Sequence, residues 1–178
     1  MENYPYDQIR PFDVIMYKGS SVFSGLISLV EKIFIGNGEW THIGLVVTTE
    51  LLPGMSNVHK GKLYVYESLL SHDDNPDIES GNPNFGVQIR DLAKSVKLSN
   101  ADPEQRVAWC KLLNNPLDKK DTETDDEYKD RINTMKTKLA DFYNKNKSTS
   151  YDYNPLSLIK IVFPCLWNPV DQDAMYFC

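Results

Sequence analysis

The chain has 178 residues, a length that favours one domain, and its 41% apolar and 25% charged residues supply an ordinary globular core. A net charge of −6 and a pI near 5.0 argue against a protein whose main partner is nucleic acid. The opening "MENYPYDQIRPFD" has neither the basic nor the apolar region of a secretory signal, and no run reaches the roughly 18 apolar residues of a spanning helix. The expectation is an intracellular protein, cytoplasmic or packaged in a particle.

In chain order, "FDVIMY" (12–17) predicts a first strand, closed by the turn residues Lys18 to Ser21. Residues 22–36, "VFSGLISLVEKIFIG", predict a helix apolar nearly all round, either buried or facing a lipid surface or partner. "THIGLVV" (41–47) and "KLYVYES" (62–68) predict an antiparallel strand pair, joined by a long connection containing Pro53-Gly54. "FGVQIRDL" (85–92) predicts a third strand.

In "ADPEQRVAWCKLLNN", Asp102 reads as a helix N-cap with Pro103 at the first helical position. Val107, Cys110 and Leu113 would then share one face, with Cys110 in the core. In 119–147, Tyr128, Ile132, Met135, Leu139 and Phe142 recur at helical spacing, and Thr124 with Glu127 offers a capping box. A polar break, "NKNKSTS", leads to "YDYNPLSLIKIVFPCLW" and "DAMYFC". The organisation expected is one α+β domain over 1–178: a small antiparallel sheet packed on helices, with a helical elaboration at 102–147.

Strand periodicity selects the chemistry. One face of "HIGLVV" carries His42, Gly44 and Val46, and one face of "LYVYE" carries Leu63, Val65 and Glu67. Paired antiparallel, with Val46 beside Leu63, the two strands set His42 beside Glu67. A carboxylate there can hold an imidazole tautomer and stabilise the imidazolium, as the third member of a nucleophilic triad does. Gly44 is expected to leave space beside His42 for a substrate or nucleophile. The cysteines Cys110, Cys165 and Cys178 form no C-x-x-C pattern and read as free thiols in a reducing compartment. Cys110 and Cys165 read as small buried hydrophobes. Cys178, after a polar loop, is the candidate nucleophile.

The order of these motifs resembles the circularly permuted NlpC/P60 enzymes. These are papain-like cysteine hydrolases of the YiiX kind, more distantly related to lecithin retinol acyltransferase-like proteins. The resemblance rests on an opening strand and helix, "THIGLVV", "VYES", a long helical stretch, "SYDYN" and "MYFC". It implies a papain-like fold with His42 as base, Glu67 as its orienting group, Cys178 as nucleophile and Tyr176 lining the site. Asp13 in "FDVIM" is expected to be structural. In the family the cysteine opens a helix, often as "C-S-x-L", so the native chain is expected to continue beyond Cys178.

The function expected is a thiol hydrolase that cleaves an amide or ester through an acyl-enzyme, acting on a peptide, a cell-wall-type amide or an acyl lipid. A lipid acyltransferase or phospholipase on the same residues is the first alternative, with 22–36 available for lipid contact. A pocket that binds without turnover is the second. Trp40 reads as a rim or core aromatic beside the site.

His42, Glu67 and Cys178 could chemically hold zinc, and the His72, Asp73, Asp74, Asp77 loop a hard cation, but a triad and a solvated loop are the expected readings. No G-x-x-x-x-G-K-[ST] or G-x-G-x-x-G occurs, and no cofactor is expected.

Overall fold

The computed structural model describes residues 6–19, 40–52, 59–69, 73–83 and 86–147. The elements are β1 (Val14–Lys18), β2 (His42–Val47), β3 (Tyr64–Leu69), β4 (Gly86–Asp91), α1 (Leu92–Ala101), β5 (Arg106–Cys110) and α2 (Asp125–Asn146). The strands form one sheet in the order β4-β3-β2-β1-β5, with antiparallel neighbours throughout. The α+β class and the antiparallel sheet agree with the sequence.

Alternating side chains give the sheet two apolar faces. Ile15 and Tyr17 of β1, Val46 of β2 and Val65 of β3 pack with Ile9 and with Leu92 and Val96 of α1. The alternate residues Val47, Tyr64 and Ile89 pack with Leu52 and with Tyr143 of α2, and Leu139 lies against them. Each face thus gains a helix, as a sheet apolar on both sides requires. The stripe expected on α2 is realised in part: Leu139 packs on the core, but Phe142 is 55% exposed and its neighbour Tyr143, outside the expected stripe, is the buried residue at 4%. The Phe142 ring meets Tyr66 edge-on at 6.3 Å between centroids. The capping box is complete: Thr124 N–H donates to Glu127 at 2.9 Å, and Glu127 N–H to the Thr124 hydroxyl at 3.3 Å.

Three departures have physical causes. β1 begins at Val14, not residue 12, because Phe12 has φ +74° and turns the backbone before the strand. The segment after Asp102 is the strand β5, not a helix. Asp102 accepts from Glu104 N–H at 2.9 Å and closes a turn. Arg106–Cys110 then alternates along β1, with Ile15 opposite Trp109 and Val14 opposite Cys110. Cys110 is therefore exposed rather than in the core.

The helix of this region lies earlier. Asp91 ends β4 and caps α1, accepting from Lys94 N–H at 3.0 Å, a contact worth about 1 kcal/mol. Among the described residues, no helix is long and apolar enough to cross a membrane.

Candidate functional site

His42 opens β2, the middle strand, and Glu67 lies on β3 beside it. Leu45 pairs with Tyr66, Val46 with Val65 and Val47 with Tyr64. Continuing that register sets Gly44 opposite Glu67, so the pairing is displaced by two residues from the expected one. A two-residue displacement preserves the face, and His42 reaches Glu67 along the diagonal. Its Nε2 lies 2.8 Å from Glu67 Oε2. The Glu67 side chain is 1% exposed and that of His42 is 23% exposed, which places the pair at the edge of the interior with the imidazole on the solvent side.

Gly44 does not provide the open approach expected of it. A Cβ there would lie 2.2 Å from Val65 Cγ2 and 3.5 Å from both Cβ and Oε2 of Glu67. The glycine makes room for Val65 and the carboxylate, not for a substrate. On the other side of His42, Tyr17 pairs with it across β1 and β2, their ring centroids 5.5 Å apart and tilted by 32°. Trp40 is partly buried, two residues before His42.

Beneath the pair lies a buried cation that the sequence reading missed. Arg90 of β4 is 3% exposed. Its Nη1 donates to Glu67 Oε1 at 3.1 Å and its Nε to the Asn75 carbonyl at 2.8 Å, while Nη2 donates to both carboxylate oxygens of Asp73. Asn75, also buried, donates its side-chain amide to the Asp91 carbonyl at 2.9 Å and to the Ser95 hydroxyl at 2.8 Å. The result is one connected chain of polar groups, His42–Glu67–Arg90–Asp73, with the loop before β4 fastened to its far end. A buried carboxylate is tolerable in such a setting because its charge is compensated and its oxygens are hydrogen-bonded.

The acidic loop is used internally. Asp73 faces Arg90, and Asp77 accepts from the Ile89 and Ser80 N–H groups, each at 2.9 Å. Among the described residues, no group of three or more His, Cys, Asp or Glu is placed to hold a metal ion. Asp13 is fully buried and accepts from Arg10 N–H, Trp109 Nε1–H and Leu112 N–H at 2.8–2.9 Å. It ties the start of β1 to the end of β5, at the Val14–Cys110 end of the pair. His59 sits in a turn, its N–H donating to the Tyr64 hydroxyl at 2.9 Å. Cys178, Tyr176, Cys165, His72 and the segment 22–36 lie outside the described residues.

The imidazole is held by one ring nitrogen: Nε2 faces the buried Glu67 carboxylate at 2.8 Å, and in the tautomer that donates Nε2–H to it the second nitrogen, Nδ1, is the acceptor. No protein-family model, curated protein or solved structure matches the chain.

Proposed function

We propose that the chain is a thiol hydrolase that cleaves an amide or ester through an acyl-enzyme, with Cys178 as nucleophile, His42 as general base and Glu67 as its orienting group. The observation that carries this reading is the 2.8 Å contact between His42 Nε2 and the buried Glu67 carboxylate. An oriented imidazole with one nitrogen committed and the other available is the arrangement a thiol nucleophile requires. The papain-like, circularly permuted architecture belongs to the same proposal; the mixed sheet-and-helix fold is compatible with it.

His42 Nδ1 takes the thiol proton, and the Cys178 thiolate adds to the substrate carbonyl carbon. Backbone N–H groups near Cys178 stabilise the resulting oxyanion. Collapse expels the amine or alcohol, which receives the proton from His42, and leaves a thioester. Water, deprotonated by His42, adds to the thioester; the acid departs and the thiol is restored. Glu67 stays ionised throughout and stabilises the imidazolium.

The test is the alkylation rate of Cys178 against pH, in a Cys110→Ser, Cys165→Ser background with and without His42→Ala. A thiolate apparent well below the ordinary value of about 8.5, and lost with His42→Ala, supports the reading. An ordinary thiol titration indifferent to His42 would leave a binding module in its place.

A further inference from the structure

The geometry points to Arg90 as the positioning residue of the His42–Glu67 pair, held in its own orientation by Asp73 and Asn75. This deepens the hydrolase reading and rests on it for its meaning, though not for its test.

The terminal torsion of a glutamate is soft, so a carboxylate held at one oxygen swings about that contact. Glu67 is held at both. Oε1 accepts from Arg90 Nη1 at 3.1 Å and Oε2 faces His42 Nε2 at 2.8 Å. Fixing Oε1 therefore fixes where Oε2 points, and with it the ring orientation of His42.

Arg90 can do this because a guanidinium is a rigid planar fork. Two of its three nitrogens are anchored elsewhere, Nε on the Asn75 carbonyl and Nη2 on Asp73, so the direction of Nη1 is not free. Asn75 is in turn tied to Asp91 and Ser95, where β4 passes into α1. Orientation passes from the α1 junction through Asn75 and Arg90 to Glu67 and the base. A lysine at 90 would keep the charge and three N–H donors, but all three sit on one nitrogen at the end of a flexible stem. They do not reproduce the planar fork that reaches Asn75, Asp73 and Glu67 from three separate nitrogens.

The readout is the ring proton on His42 Nε2, whose exchange with water reports on the carboxylate it contacts. In the parent protein it is expected as a downfield, slowly exchanging resonance. In Arg90→Lys and Arg90→Gln, checked for folding by circular dichroism, its exchange accelerates by about tenfold or more. Lysine fails to rescue although the charge is retained. A folded variant of either kind with unchanged His42 N–H exchange overturns the proposal.

A second measurement needs no Arg90 variant. In the parent, the Nη1 and Nη2 protons of Arg90 give separate, slowly averaging signals that shift in His42→Gln. A single averaged set, indifferent to His42, overturns the proposal equally. None of these readouts involves Cys178 or turnover, so failure of the hydrolase reading leaves them unmoved.

Discussion

Gly44 and Val65 share one side-chain space between β2 and β3: a Cβ on the glycine would lie 2.2 Å from Val65 Cγ2. That separation is far inside van der Waals contact, and Val65 is fully buried, so it has little room to move. Gly44→Ala is expected to destabilise the protein by about 1–3 kcal/mol through overpacking. In a Val65→Ala background the same substitution is expected to cost much less, because the clashing methyl is gone. Urea denaturation of the four proteins in the cycle checks this; strictly additive costs would mean that the two residues do not compete.

Asp13 is expected to matter to stability and not to chemistry. Its carboxylate satisfies three N–H donors around a fully buried position. Asp13→Ala strands those donors and is expected to cost about 3 kcal/mol or more. The Trp109 indole loses its partner, so tryptophan fluorescence reports the change alongside denaturant unfolding. Any turnover, corrected for the folded fraction, is expected to be unchanged.

Glu67→Gln is expected to act at both levels. It takes from Arg90 one of the two carboxylate partners it has among the described residues, an expected loss of about 3 kcal/mol. Under the hydrolase reading it also removes the anion that holds the His42 tautomer, and turnover should fall by roughly 10²- to 10⁴-fold. Thermal unfolding and single-turnover kinetics separate the two effects. Full activity in a folded variant would remove Glu67 from the mechanism.

The loop before α2 should loosen in acid. Arg131 grips both oxygens of Glu123, its Nε at 2.6 Å and its Nη2 at 2.8 Å. This hydrogen-bonded pairing holds the Glu123 carboxyl down from its ordinary 4.5 to about 2. A depressed carboxylate contributes stability that is fully present above its ordinary value and is lost as pH falls through its folded one. The contribution should therefore fade between about pH 5 and about pH 2. Glu123→Gln is expected to lower Tm at neutral pH and to flatten the decline over that window. Parallel Tm-against-pH curves for the two proteins would contradict this.

Cys110 lies exposed at the end of an edge strand, its sulfur 3.9 Å from Met16 Sδ. It is expected to react with a thiol reagent in the native state, and Cys110→Ser is expected to change stability by less than about 0.5 kcal/mol. A thiol count under native conditions, with and without the substitution, checks this. A Cys110 that reacts only on unfolding would place it in the core after all.

The strands were legible because alternation along "HIGLVV" and "YVYES" survives in any register. The register itself was not, because the long connection between β2 and β3 exerts no turn constraint on it. His42 and Glu67 were still assigned to one face, since a two-residue displacement changes partners but not sides.

Arg90 was missed for a related reason. In "VQIRD" the polar members Gln88 and Arg90 look like the wet side of a half-exposed strand, yet α1 covers that side and both are buried. Only a partner brought from another element, here Glu67 or Asp73, could have marked the arginine as interior. The Asp102-Pro103 pair misled because the same two residues serve a tight turn as readily as a helix start. The β-branched and aromatic alternation of "RVAWC" was the better signal.

The His42–Glu67–Arg90 chain is assembled from adjacent strands of the β2–β3–β4 meander, all of it upstream of α1. The most distant strand pairing in the sheet is the one between β1 and β5, which joins Val14 to Cys110. Contacts that close short stretches of chain form ahead of those that close long ones, and synthesis releases the N-terminal part first. The expected consequence is one of timing during biosynthesis: His42 and its supports are organised while the region of Cys178 is still to be translated.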